Sequence, residues 1–475
     1  MRGGTFVHCF GPFEFDPATG RLYHGSDVVR LPAPQSAMLR VLIAKAGEVV
    51  SKEALIEAGW GHASVTPDIV KTSISRLRKT LSAAHAGAVC IETVTNHGYR
   101  FIERLEGGQR HDAAAPSGVD DEPYHVFRRG RADLFTLNLN KIQSARRDFE
   151  QSIELKPQYA EAHIGLAMAC ALIFEASRAD VRSDLESLRR AVHHARHATM
   201  LSPLSGDAWS TLAFALGLQG DTEVAAVAAS KAIDFDPNDF LHRMRLAYIT
   251  WGEERTRAAR AVLRINPGLA LAHWLNATVL VARGAFEAAL ETLDAGCRAQ
   301  DEQSLSMGSF PAVGLHLLRG LVLAAQHQLD EAAGEFKREL SCVTSGQLYA
   351  RVCAGNAWYA LGAIYLRQRR RDEAETAFRY ALEAAPGNSS ALAALGRPIP
   401  VPPEGDPRMV ETAIARAIML ARAGRHADAA IAYRHAISTA PPGAGWILPV
   451  EPLIDAAARQ DIWRDVLALV RQRAV

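Results

Sequence analysis

The sequence holds no run of eighteen or more apolar residues, so no helix is expected to cross a membrane. The opening stretch MRGGTFVHCFGPFEF has no signal-peptide core, and a cytoplasmic location is expected. No C-x-x-C pair occurs. The six cysteines (Cys9, Cys90, Cys170, Cys297, Cys342 and Cys353) are scattered over 475 residues, which argues against a zinc site or a disulfide framework. Phosphate loop, nucleophile elbow and metal-protease motif are all missing, so no enzyme, metal or cofactor is expected. Neither charge sign dominates: 53 Lys and Arg stand against 52 Asp and Glu. That balance excludes a polybasic protein, but a local basic face is enough to hold DNA. With 48% hydrophobic and 22% charged residues the composition is ordinary. The length calls for two or more domains, or one domain and a repeat array.

Residues 1–104 differ from the rest. Short strand patterns at 10–16, 21–23 and 28–31 are separated by turn signals. A helix is expected over 34–46, with Met38, Leu39, Leu42 and Ile43 on one face. A second follows Ser51 as N-cap, and a third runs over 67–83 with Thr66 as N-cap and Pro67 in its first turn. The segment IETVTNHGYRFIE reads as two strands around a turn at Asn96, His97 and Gly98. In the third helix Ile74, Leu77 and Leu81 share a face at spacings of three and four, so that face packs inward. Lys71, Thr72, Ser75, Arg76, Arg78 and Lys79 point elsewhere. Residues 1–105 carry 12 Lys/Arg against 9 Asp/Glu, and much of that excess sits on this helix.

A sheet, three helices and a hairpin is the order of a winged helix. The stretches LPAPQSAMLRVLIAKAGEVVSKEALIEAGWG, ISRLRKTL and IETVTNHGYRF resemble the DNA-binding domain of OmpR/PhoB-type regulators, and more narrowly its ToxR/CadC/HilA branch. The resemblance covers nearly all of residues 6–104. It implies that the third helix enters the major groove, with Arg76 and Arg78 reading bases and Lys71, Thr72, Ser75 and Lys79 beside them. It also implies a wing, with Thr95, Asn96, His97 and Arg100 near DNA. The wing tip Thr-Asn-His carries no permanent charge, unlike many relatives, so reliance on dimerisation or adjacent sites is expected. With the first strand pattern within ten residues of Met1, no receiver domain is expected ahead of it.

Residues 105–123 read as a flexible linker. From 124 onward the chain is helical and repetitive. In 355–388, Trp358, Leu361, Gly362, Tyr365, Ala374, Phe378, Ala381 and Pro386 fall at positions 4, 7, 8, 11, 20, 24, 27 and 32. Residues 206–239 and 410–443 keep the frame, and weaker copies fill the remainder. This pattern resembles the tetratricopeptide repeat. Small residues let two helices approach closely, large ones fill the space between, and the proline ends the second helix. Pro157 and Pro203 lie 46 apart rather than 34, so about a dozen extra residues sit near 174–186. The expected fold is an α+β winged helix-turn-helix domain at 1–104 followed by an all-α solenoid at 124–475, with about eight repeats and a C-terminal cap.

The concave positions of such an array are largely apolar here. Ile164, Met168, Phe214, Trp274, Leu317, Leu321, Tyr359, Ile414 and Ile418 are expected to line a groove for an apolar small molecule or an amphipathic peptide. The alternative is that these residues simply pack on each other. His193, His194 and His197 share one helix and read as a solvated face. Cys342 and Cys353 read as inert. The expected function is a one-component transcription regulator, an activator by resemblance. It would bind double-stranded promoter DNA and RNA polymerase, with the array sensing a ligand or building a homodimer. The alternative is a protein-interaction scaffold whose winged helix docks protein.

Overall fold

The computed structural model describes residues 6–10, 13–17, 20–24, 27–29, 31–60, 67–84, 90–94, 97–102, 106–109, 122–134, 136–237, 239–305, 314–343, 346–402, 406 and 408–475. They form two compact units, one drawn chiefly from residues 1–117 and one from 118–475.

The first unit runs β1 (Phe6–Phe10), β2 (Phe13–Asp16), β3 (Arg21–His24), β4 (Asp27–Val29), α1 (Ala33–Ala44), β5 (Val49–Val50), α2 (Lys52–Trp60), α3 (Pro67–Ala84), β6 (Ile91–Val94), β7 (Gly98–Phe101) and β8 (Glu106–Gln109). Two antiparallel sheets result, ordered β4-β3-β2-β1-β8 and β5-β7-β6. Alternation along the strands turns Phe13, Phe15 and Leu22 into the interior, each at most 1% exposed. Phe10 meets Phe101 edge-on at 5.1 Å, which ties one sheet to the other through a single aromatic core. Ser51 caps α2 by accepting from the Ala54 amide at 3.2 Å. Thr66, read as the α3 cap, lies outside the described residues.

Residues 106–109 depart from the linker reading. Phe6 through Cys9 pair with them, register Val7 to Gly108, and they complete the edge of the larger sheet. Composition rich in glycine suggested a tether. An unpaired β1 edge supplies backbone partners that composition does not reveal.

In the second unit, helices pair in succession: α4 (Glu122–Leu134) with α5 (Leu139–Leu155), α6 (Ala160–Ser177) with α7 (Leu185–Leu201), α8 (Gly206–Gln219) with α9 (Thr222–Phe235) and α10 (Phe240–Ile249) with α11 (Gly252–Ile265). Then come α12 (Ala270–Arg283) with α13 (Phe286–Leu305), α14 (Leu315–Ala325) with α15 (Leu329–Cys342) and α16 (Ala350–Arg367) with α17 (Arg371–Ala384). The short α18 (Ser389–Ala394), the pair α19 (Met409–Arg422) with α20 (His426–Ser438), two 3-10 turns and α21 (Gln460–Gln472) finish the chain. Gly362 explains the close crossing of α16 on α17: a Cβ there would stand 2.6 Å from the Phe378 ring. The dozen extra residues add no helix. They lengthen α6 and α7 to 18 and 17 residues and form the turn between them.

That turn reaches across the array. Gly387 donates its amide to the Ala179 carbonyl at 2.9 Å, and Arg408 reaches the Asp180 carbonyl at 2.6 Å. Arg351 pairs with the Asp180 carboxylate at 2.7 Å. Early and late repeats also join by backbone, with Leu139 N donating to Gly346 O at 2.8 Å and Leu348 N to Leu137 O at 3.0 Å. The repeat array therefore folds back on itself.

Among the described residues α6 is long and apolar enough to cross a bilayer, yet 78% of it is buried inside the unit. It also carries Glu161, His163 and Glu175, which fits a core helix enclosed by its neighbours.

Candidate nucleic-acid interface

The face that α3 buries is Val70, Ile74, Leu77 and Leu81, none more than 1% exposed. On a helix of 3.6 residues per turn this sends Lys71, Thr72, Ser75, Arg76 and Lys79 to the opposite side. All five are exposed. One helix thus presents three cations and two hydroxyls to solvent in two turns, held rigid by a fully packed inner face.

Arg78 behaves differently. It was expected to face DNA, but its Nε donates to the Ile91 carbonyl at 2.9 Å and its Nη2 to Thr93 Oγ1 at 2.8 Å. The guanidinium also lies 5.8 Å from the centre of the Tyr99 ring. Arg78 therefore ties α3 to both strands of the hairpin and fixes the angle between helix and wing. Arg78→Ala should loosen that hairpin by about 1–2 kcal/mol, read as faster amide exchange across residues 90–102. Arg76→Ala, on the open face, should leave that exchange unchanged.

In the wing, Thr95 and Asn96 lie outside the described residues. His97 is exposed at the turn, its amide donating to the Val94 carbonyl at 3.0 Å. Arg100 is half-buried and pairs across the hairpin with Glu92 at 3.7 Å. Gly98 sits at φ +136°, and a Cβ there would fall 2.1 Å from the Val50 carbonyl oxygen. Glycine at that position is what lets the wing close against β5.

The expected apolar groove is not open. Phe214, Leu317, Leu321, Tyr359, Ile414 and Ile418 are all between 0% and 9% exposed and belong to the packed interior of the repeats. Trp274 packs edge-on against Trp446 from the C-terminal segment, with ring centres 6.1 Å apart. Met168 packs on the first core cluster and Ile164 is half-buried. Tyr359 donates to Glu451 at 2.6 Å, a second contribution from the C-terminal segment. The chain's own side chains fill the positions that a ligand was expected to occupy.

The interior of the array is polar as well as apolar. Glu175, 2% exposed, accepts from the Tyr248 hydroxyl at 2.8 Å and from the Tyr349 hydroxyl at 3.3 Å. Arg178 bridges Glu175 and Glu411. Arg245 donates to Ser210 at 2.8 Å and Arg255 to Thr278 at 3.1 Å. Burial holds both tyrosine hydroxyls above the usual range, so both remain donors. The bonds of Glu175 and Arg178 join α6, α10, α19 and the residues entering α16, those of Arg245 and Arg255 join α10 to α8 and α11 to α12, and periodicity gave no sign of them.

Of the histidines on α7, His193 is exposed as expected, while His194 and His197 are half-buried against α6. His163 of α6 brings its Nδ1 to 3.0 Å from that of His194, and its ring lies 4.5 Å from that of His197. Burial pushes His194 down to about 4. Among the cysteines, burial pushes Cys170 up to about 11 and holds Cys353 well above its ordinary value, so neither is poised as a thiolate.

Residues 26–101 match the family described as "Transcriptional regulatory protein, C terminal", and residues 355–388 match the tetratricopeptide repeat. Over 82 residues the chain is 37% identical to Transcriptional regulator HilA of Salmonella typhimurium, which covers 17% of this chain and 15% of that protein. Over 96 residues it is 34% identical to the phosphate regulon transcriptional regulatory protein PhoB of Rhizobium meliloti, covering 20% and 41%. The solved DNA-binding domain of E. coli CadC aligns at 27% identity and a TM-score of 0.20, over 22% of this chain and 98% of that one. The chain thus spans less than half the length of these two curated relatives, and the likeness rests on the N-terminal unit. That unit carries a winged-helix domain of the OmpR/PhoB type, joined to a helical region of tetratricopeptide type.

Proposed function

We propose that this chain, with its OmpR/PhoB-type winged helix, is a DNA-binding transcription regulator working in the cytoplasm as a one-component factor. The observation that carries this reading is the outer face of α3, where Lys71, Arg76 and Lys79 stand exposed beside Thr72 and Ser75. Arginine can bond guanine O6 and N7 together, and lysine and hydroxyls suit phosphate oxygens. In this reading Arg76 reads bases, and Lys71, Thr72, Ser75 and Lys79 hold the backbone. Arg78 positions the wing. Arg100, already paired with Glu92 in a partly exposed ion pair of small net value, can exchange that partner for phosphate at little cost. Thr95, Asn96 and His97 bring no permanent charge to the wing tip, so two adjacent sites bound by a homodimer would supply the missing affinity. Activation would then run through contact with RNA polymerase on promoter DNA.

The test is titration of the full-length chain on duplex DNA at several salt concentrations. Affinity should fall steeply as salt rises, because bound cations release condensed counterions. Binding that ignores salt, or no binding, overturns the reading.

A further inference from the structure

We propose that Asp301, His316 and Cys342 form a binding site for one divalent cation of the zinc class. The inference concerns the array alone and stands whether or not the N-terminal unit binds DNA.

The three ligand atoms come from the end of α13, the start of α14 and the end of α15, and all lie within 4.8 Å of one another. His316 Nε2 is 3.0 Å from Asp301 Oδ1, and Cys342 Sγ is 3.9 Å from the same oxygen. A tetrahedral zinc with bonds of about 2.0–2.3 Å separates its ligand atoms by roughly 3.3–3.6 Å. The two edges that meet at Asp301 are within a few tenths of an ångström of those separations, and the third, between His316 and Cys342, lies within 4.8 Å and closes as the ion draws the side chains in. Sulfur, imidazole and carboxylate together suit zinc better than magnesium or calcium, which take oxygen alone.

The surroundings are those of a metal-bound histidine. His316 is 1% exposed, and its other nitrogen, Nδ1, meets Glu335 Oε2 at 2.7 Å. A carboxylate on Nδ1 fixes the ring and leaves Nε2 to face the ligand, the arrangement that orients zinc-binding histidines. Glu335 is held in turn by Arg319 at 3.0 Å and Arg338 at 3.4 Å. The backbone is fixed too: Gln300 accepts from the Leu315 amide at 3.0 Å, and Glu339 accepts from the Gly314 and Leu317 amides at 2.7 and 3.2 Å. The side chain of Asp301 is 54% exposed and Cys342 is half-buried, so an ion has an entry path and room for a water as fourth ligand.

Cys297, His316 and Glu335 also gather, around the opposite nitrogen. There the two arginines already neutralise Glu335, and a cation would be repelled. On the Asp301 side, binding sends the Cys342 thiol proton and the Nε2 proton to solvent. One thiolate and one carboxylate then balance the two charges of the ion. Occupancy would clamp three helices from two adjacent repeats, which makes the site suited to an input signal.

The experiment strips the full-length chain with a chelator and titrates it with cobalt(II), which reports sulfur ligation by a thiolate-to-metal charge-transfer band. One equivalent should saturate the band, and zinc should displace it. Cys342→Ser should abolish the band and Asp301→Asn should weaken binding at least tenfold, while Cys297→Ser keeps the band. Because the Asp207, Asp239 and His242 group holds no sulfur, it cannot produce this signal. Zinc should also raise the melting temperature of the unsubstituted chain and leave that of Cys342→Ser where it was. No band in the unsubstituted chain, or a band that survives Cys342→Ser and disappears with Cys297→Ser, overturns the assignment.

Discussion

Replacing Lys71, Arg76 and Lys79 together with alanine is expected to cut duplex DNA affinity a few hundredfold near 0.1 M salt while leaving the fold intact. Each phosphate-bound cation contributes about 0.9 to the slope of log affinity against log salt. Losing Lys71 and Lys79 should make the slope shallower by about 1.8, which from 1 M salt, where such contacts are nearly screened, to 0.1 M is a loss of roughly 60-fold in affinity. The lost Arg76 base contact adds about 1–3 kcal/mol, roughly fivefold or more, so the product reaches a few hundredfold. The stability cost should be small, about 0.5 kcal/mol or less at each position, because all three side chains are exposed. Arg78 is left out of the set on purpose, since its hydrogen bonds to Ile91 and Thr93 would mix a folding effect with a binding one. A triple variant that keeps both affinity and slope would move the DNA contact off α3.

The second large effect is expected inside the array. Glu175→Ala should lower the stability of the helical unit by about 3 kcal/mol or more. Two tyrosine hydroxyls, on Tyr248 and Tyr349, lose their buried acceptor, and each unsatisfied group costs about 1–3 kcal/mol. Arg178 keeps only its outer partner, Glu411. Glu175→Gln retains an acceptor and should cost less. Glu411→Ala removes the exposed end of the same chain of groups, 53% accessible, and should cost about 1 kcal/mol or less. Urea unfolding followed by the helical circular dichroism signal separates these three variants. Equal losses for Glu175→Ala and Glu411→Ala would mean that the buried hub does not hold early and late repeats together.

How far the sequence can be read depends on the range of the contact. The inner face of α3 was legible because a helix repeats every 3.6 residues and Ile74, Leu77 and Leu81 keep that period. The partners of Arg78 were not, since Ile91 and Thr93 become neighbours only when the hairpin closes back on the helix. The repeat at 355–388 was legible because Gly362 and Phe378 must alternate small with large where two helices cross. Whether the concave positions form a groove or pack on each other stayed open in the sequence for a related reason. Periodicity identifies which residues lie on the concave side, but it does not say whether the array closes over them. Trp446, Glu451 and the turn at 178–184 close it here, and each comes from far along the chain.

The metal reading follows the same rule. A sequence motif for zinc depends on ligands a few residues apart on one turn or loop, and Asp301, His316 and Cys342 are separated by 15 and 26 residues. What the sequence by itself determined is everything set by local period and by steric fit between neighbouring elements: a winged helix with a cationic outer face on α3, then helix pairs crossing at small residues. Only the tertiary structure decided what those elements enclose. Filling of the concave face, the buried Glu175 hub and the His316 cluster all arise where helices distant in sequence meet. There burial makes polar groups find partners, and no local pattern records which partner each will find.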